Sequence, residues 1–176
     1  DAVSISVPTA MHEKVGIDAL DFGAHVLIEK PIAATIEEGE RLMAKAQAMK
    51  KQLMVGHVVR FNPAIQALKQ KLDSGELGRI FQIFCRRAGP FPLRIRDVGV
   101  IVDLAPHDVD IMRVLAGADP VRVYAEGEQQ IHTDHQDLLW APLRFQGGLV
   151  GGLELNCLTP SKIRVTFVLG ERGLFK

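Results

Sequence analysis

The stretch Ala24-His25-Val26-Leu27-Ile28-Glu29-Lys30-Pro31 decides how this chain is read. Its apolar run is short and lies between Gly23 and Pro31, which marks a buried strand rather than a helix. Upstream, Ala2-Val3-Ser4-Ile5-Ser6-Val7 is a similar run ended by Pro8. Thr9 then offers an N-cap for a helix that reaches Phe22 and stops at Gly23. Downstream, Thr35-Ile36-Glu37-Glu38 is a capping box. It opens a helix with Leu42, Met43, Ala46 and Met49 on one face, and Leu53-Met54-Val55 follows as a third strand. Strand, helix, strand, helix, strand in this order predicts parallel strands joined by right-handed crossovers.

The pattern changes after Gly56. Asn62-Pro63 supplies a cap and first residue for a helix ending near Ser74. A strand is expected over 79–87, a loop rich in Pro, Gly and Arg over 89–99, and a helix over 104–115 stopped by Gly117. Strands follow near 121–129, 138–145, 149–158 and 164–169, with a hairpin turn at Gln146-Gly147-Gly148. The expected architecture is an α/β unit with parallel strands over 1–56, then an α+β unit with a largely antiparallel open sheet over 57–176.

Composition narrows the function classes. The 176 residues are 47% hydrophobic, enough for a real core. The 21 basic and 21 acidic side chains balance, so nothing global steers the chain toward nucleic acid or an anionic membrane. No apolar run is long enough to span a bilayer. The two cysteines, Cys85 and Cys157, sit in apolar strands outside any C-x-x-C motif. They read as buried, reduced thiols of a cytoplasmic protein. A metal site is not expected. Asp103 and His107 supply two ligands where a site needs three or four, and the loop His132-Thr133-Asp134-His135 has no partner spacing.

Four groups of residues can carry chemistry, and each also has a bland reading. Lys30, at the carboxyl end of a buried strand, is either a solvated strand-end lysine or a catalytic one. Ligands bind at the carboxyl ends of strands in open α/β sheets, and Pro31 restricts the backbone of Lys30. Asp103 and His107 share one helix face at i, i+4 spacing. Pro106 fits only in a first turn, so Asp103 lies at or just before the N-cap and His107 projects near the positive end of the helix dipole. They form either a cap with a satisfied histidine, or a general base with the carboxylate that orients it. Asp110 is placed as a second partner of His107, and Asp108 as a solvent-facing residue. Arg60, in His57-Val58-Val59-Arg60-Phe61-Asn62-Pro63, is a structural arginine or an anion contact. Arg86, Arg87, Arg94 and Arg96 form a solvated loop or a site for a diphosphate.

Taken in order, these segments resemble the glucose–fructose oxidoreductase and inositol dehydrogenase family. The resemblance lies in the run from Asp1 to Pro8, in His12, Ala19-Leu20, Gly23 and His25-Val26-Leu27, and in Glu29-Lys30-Pro31. It continues through Val55-Gly56-His57, Arg60-Phe61-Asn62-Pro63 and the segment from Gly99 to Asp103-Leu104-Ala105-Pro106-His107-Asp108-Val109-Asp110. The family implies the C-terminal part of a Rossmann domain followed by a substrate-binding and dimerisation domain. It implies hydride transfer between NAD or NADP and a secondary hydroxyl of a sugar, nucleotide sugar or cyclitol. By the matching motifs, Lys30 would hold the reacting hydroxyl, His107 would be the general base and Asp103 would orient both. Pro8, Thr9, His12, Glu29, Lys30 and Arg60 would line the nicotinamide side. Arg86, Arg87, Arg94, Arg96, Lys30, Asp103 and His107 would meet substrate. The stretches from Asp97 to Ala105 and from Leu158 to Arg164 look most like members that oxidise the 3-hydroxyl of UDP-N-acetylglucosamine. Inositol, a free sugar and a non-catalytic sugar sensor remain alternatives. Homo-oligomers through the C-terminal sheet are implied as well. The G-x-G-x-x-G phosphate loop is not in this sequence, which implies a piece truncated at both ends and, in isolation, inactive.

Overall fold

The computed structural model describes residues 1–91, 98–131 and 134–176. Arg94, Arg96 and His132 therefore lie outside the described residues. The chain divides into two compact units, Asp1–His57 and Val58–Lys176.

In the first unit, β1 (Ala2–Ile5), β2 (His25–Ile28) and β3 (Leu53–Val55) form a parallel sheet in the order β1-β2-β3. Helices α1 (His12–Asp21) and α2 (Ile36–Ala48) supply the crossovers. Their apolar positions Leu20, Leu42 and Ala46 pack with Ile5, Val26 and Ile28, whose alternation along the strands sends them to one face. On the opposite face Leu27 and Met54 stay exposed. The capping box forms: the Thr35 hydroxyl accepts from the Glu38 amide at 3.3 Å and the Glu38 carboxylate accepts from the Thr35 amide at 3.3 Å. Thr9 does not cap α1. A 3₁₀ turn, Thr9–Met11, comes first, closed by the Met11 amide on the Pro8 carbonyl at 2.8 Å, so α1 begins at His12.

The second unit opens with a 3₁₀ turn, Val58–Phe61, and α3 (Pro63–Asp73), capped by the Asn62 side chain, which accepts from the Ala64 amide at 2.9 Å. Then come β4 (Ile80–Ala88), a short helical turn α4 (Val100–Asp103) and α5 (Ala105–Ala116). The strands β5 (Pro120–Val123), β6 (Glu126–Glu128), β7 (Leu138–Phe145), β8 (Val150–Asn156), β9 (Ile163–Gly170) and β10 (Gly173–Phe175) complete a sheet in the order β10-β9-β4-β8-β7-β5, with β6 also on β7. The single strand expected over 121–129 is two strands, interrupted at Tyr124-Ala125. Most pairs are antiparallel, but β4 and β8 run parallel. That pairing brings Ala88 and Asn156, the carboxyl ends of two strands, side by side.

Helices α3 and α5 cover one face of this sheet, with Ile65, Ile111, Met112 and Leu115 against Ile83, Leu143, Leu153 and Leu155. The other face is open. It carries Phe84 with Trp140 and Phe167, at ring-centre distances of 5.9 and 6.2 Å. Both cysteines are buried and reduced. Burial and the nearby Asp108 carboxylate push the Cys85 thiol up to about 12. Cys85 therefore stays protonated at neutral pH and is expected to resist iodoacetamide in the native protein, labelling only on denaturation. Rapid native labelling, read by peptide mass, would contradict its placement.

Candidate functional site

In the first unit the candidate residues gather where the parallel strands end. Pro8 and Thr9 follow β1, Glu29 and Lys30 follow β2, and Gly56 and His57 follow β3. The sheet ladder continues slightly past the strands: the Glu29 amide donates to the Ile5 carbonyl at 2.9 Å and the Gly56 amide to Ile28 at 2.7 Å. Lys30 is half-buried, and its amide faces the Glu29 carboxylate at 3.3 Å. The Lys30–Pro31 bond is cis. A Cβ on Gly56 would lie 3.4 Å from that carboxylate and from the Ile28 carbonyl, so the glycine lets Glu29 lie close across the end of β3.

His12 stands differently from its expected role at a cofactor surface. It is 1% exposed, and both ring nitrogens face main-chain carbonyls. It offers no free polar atom to a ligand.

In the second unit Asp103 ends α4 and His107 lies in the first turn of α5. Leu104 is the N-cap between them and Pro106 occupies the first turn, where its missing N–H leaves no gap. Both Asp103 and His107 are half-buried. Asp103 lines a cavity of about 170 Å³ with Phe91, Gln136, Asn156 and Arg164. Its floor is the parallel β4–β8 pair, at the end where Ala88 and Asn156 stop. Arg164 enters because β9 runs antiparallel to β4 and so begins where β4 finishes. Burial and the neighbouring Arg87 guanidinium lower Arg164 from the ordinary arginine value.

The sequence reading missed Gln136, Asn156 and Arg164. Strand ends were a usable signal, but which strands are neighbours is a tertiary fact. The backbone behind Asp103 is tightly packed. A Cβ on Gly99 would fall 2.6 Å from the Gln136 carbonyl oxygen, and the Val100 amide donates to that same oxygen at 3.0 Å. Gly99→Ala is thus expected to cost about 1–3 kcal/mol, the usual penalty of overpacking. A chemical-denaturation midpoint equal to wild type would refute it.

Of the four arginines read as a possible polyanion site, Arg86 and Arg87 are the described ones, and each is paired with a carboxylate. Arg86 and Arg87 are adjacent on a strand and project to opposite sides. Arg87 forks onto Asp108 at 2.5 and 2.8 Å, with both side chains nearly buried. Arg86 pairs with Glu154, its neighbour across the β4–β8 ladder, at 2.8 Å. Arg60 forks onto the buried Asp110, and these bonds raise the Arg60 pKa. Asp110 thus braces Arg60. Asp108, expected in solvent, is 3% exposed. Its position three and four residues before Ile111 and Met112 was the overlooked signal, because that spacing shares the buried stripe.

Among the described residues, no cluster of three or more His, Cys, Asp or Glu could hold a metal, and no helix is long and apolar enough to cross a membrane. The end of the parallel sheet fits part of a dinucleotide. The Lys30 ammonium and the Thr9 hydroxyl suit a carboxamide and ribose, while a run of amides for a diphosphate is not among the described residues.

The chain belongs to the Gfo/Idh/MocA oxidoreductase family. Residues 1–57 match the oxidoreductase-family NAD-binding Rossmann fold, and residues 65–176 match the GFO/IDH/MocA C-terminal domain. It is 39% identical over 153 residues to UDP-N-acetylglucosamine 3-dehydrogenase of Acidithiobacillus ferrooxidans, covering 87% of this chain and 47% of that protein. It is 30% identical over 188 residues to scyllo-inositol 2-dehydrogenase (NAD(+)) of Bacillus subtilis, covering 99% of this chain and 54% of that one. The crystal structure of the WlbA dehydrogenase from Bordetella pertussis with NADH and UDP-GlcNAcA superposes with a TM-score of 0.90 at 28% identity, over 99% of this chain and 54% of that chain. The chain spans about half the length of the curated relatives it matches.

Proposed function

We propose that the whole protein is an NAD(P)-dependent dehydrogenase that oxidises a secondary hydroxyl of a nucleotide sugar, with the 3-hydroxyl of UDP-N-acetylglucosamine as the favoured target. The observation that carries this reading is the cavity beside Asp103, whose polar lining of Gln136, Asn156 and Arg164 suits a polyhydroxylated anion. The similarity to the Acidithiobacillus enzyme supports the choice of sugar. The bound nicotinamide supplies a hydride acceptor, or a donor in reverse.

Lys30 donates a hydrogen bond to the reacting hydroxyl oxygen and stabilises the negative charge that grows there. His107 takes the hydroxyl proton as the C–H bond breaks and the carbonyl forms, and returns it in reduction. Asp103 orients the ring of His107 and the sugar. Pro8, Thr9 and Glu29 line the nicotinamide side. Residues 1–57 serve as the C-terminal part of the dinucleotide-binding domain and residues 58–176 as the substrate and dimerisation domain. The open sheet face bearing Phe84, Trp140 and Phe167 is the surface that would meet a second copy of the protein. Trp140→Lys should then lower the assembly state read by light scattering.

Mixing the whole protein with NAD and UDP-N-acetylglucosamine is expected to generate NADH faster than mixing it with myo-inositol. Faster turnover of myo-inositol would favour the second reading, a cyclitol dehydrogenase, which the Bacillus relative supports. Binding of either ligand without NADH formation would point instead to a non-catalytic sensor.

A further inference from the structure

His12 Nδ1 lies 2.9 Å from the Pro31 carbonyl oxygen, and its Nε2 lies 3.0 Å from the Val7 carbonyl oxygen. The ring is almost completely enclosed and belongs to the first residue of α1. The two carbonyls sit on the exit loops of neighbouring parallel strands. Val7 leaves β1 and leads to Pro8 and Thr9, while Pro31 follows Lys30 at the end of β2. The ladder between these strands reaches the Glu29 amide on Ile5, and beyond it the imidazole bridges the loops. Both carbonyls are acceptors, so the ring bonds the two at once when each of its nitrogens carries a proton, and its planarity then fixes a separation that a flexible side chain would not.

We propose that His12 is a positioning residue: by bridging Val7 and Pro31 it holds the β2 exit loop against the β1 exit loop and so sets where the Lys30 ammonium stands. The inference rests on the catalytic role proposed for Lys30. It assigns His12 no contact with substrate or cofactor. A displacement of the order of 1 Å in a reacting group costs about 10²-fold in rate, so a strut of this kind has a measurable effect on turnover.

The test uses His12→Gln and His12→Phe in the whole protein, with two readouts. In the cofactor-free protein, amide hydrogen exchange over residues 29–34 should quicken about tenfold while α2 keeps its protection, as expected for local opening. With cofactor and substrate, kcat should fall on the order of 10²-fold with little change in the KM for NAD, and Gln should recover part of the loss seen with Phe. On a Lys30→Ala background, His12→Gln should add no further loss, because its effect passes through Lys30. Unchanged exchange with unchanged kcat overturns the proposal, as do losses that multiply in the double variant. If neither variant folds, His12 is a folding determinant and the positioning role is wrong. If Lys30→Ala alone leaves kcat intact, the proposed function fails, and the exchange measurement still decides whether His12 holds the loop.

Discussion

His107→Ala is expected to lower kcat of the whole protein by about 10²–10⁴-fold, the usual contribution of a positioned general acid–base. The thermal midpoint should change little, because the side chain is only half-buried in the first turn of α5. Lys30→Ala should fall in the same range, and Lys30→Arg should not restore the rate, since a planar guanidinium cannot stand where a compact ammonium stood. Asp103→Asn should reduce kcat more than it raises KM, as an orienting group should. Steady-state NADH formation measures all of these. If Lys30→Ala and His107→Ala both keep wild-type rates, the roles assigned to them are wrong, whichever sugar proves to be the substrate.

The second large effect concerns stability. Arg87 and Asp108 form a forked ion pair with side chains 11% and 5% exposed, tying β4 to α5 one residue beyond His107. Removing either partner leaves a buried charge without its counterion, which costs about 3–5 kcal/mol. Arg87→Leu or Asp108→Leu alone should therefore lower the unfolding midpoint by roughly 10 °C, at about 2–4 °C per kcal/mol for a chain of this size. The double replacement by apolar residues of similar volume should recover most of that loss, because the desolvation cost disappears with the charges. Single variants as stable as wild type would show that the pair carries no weight. A double variant worse than either single would show that it is more than a mutual neutralisation.

The pair also bears on the active-site reading. Asp108 lies between His107 and Val109 on a helix whose other acidic residue, Asp110, holds Arg60. Two adjacent forks thus anchor α5, one to β4 and one to the turn Val58–Phe61. An anchored α5 holds His107 in a fixed orientation. Arg87, read as part of a polyanion site, serves this purpose, and Arg164 lines the cavity beside Asp103.

Several features were legible in the chain before any coordinates. The capping box at Thr35, the Asn62-Pro63 helix start and the stop at Gly117 rest on local backbone hydrogen bonding, which neighbouring residues decide among themselves. Strand, helix, strand order implied parallel pairing in the first unit, because a crossover helix leaves no other short connection. The start of α5 could be placed because Pro106 is tolerated only in the first turn of a helix. The uses of the arginines were not legible. Arg60 and Asp110 are separated by 50 residues, and Arg87 and Asp108 by 21, so each pairing depends on which helix lies over which strand. The same is true of Arg164, which reaches the cavity only because β9 runs back along β4. His12 carried the family motif, but nothing local shows that two carbonyls from separate loops would close on its ring. Hydrophobic periodicity and capping act over a few residues and survive in the sequence. Buried charge is neutralised by whatever the folded chain brings near, and only the tertiary structure decides what that is.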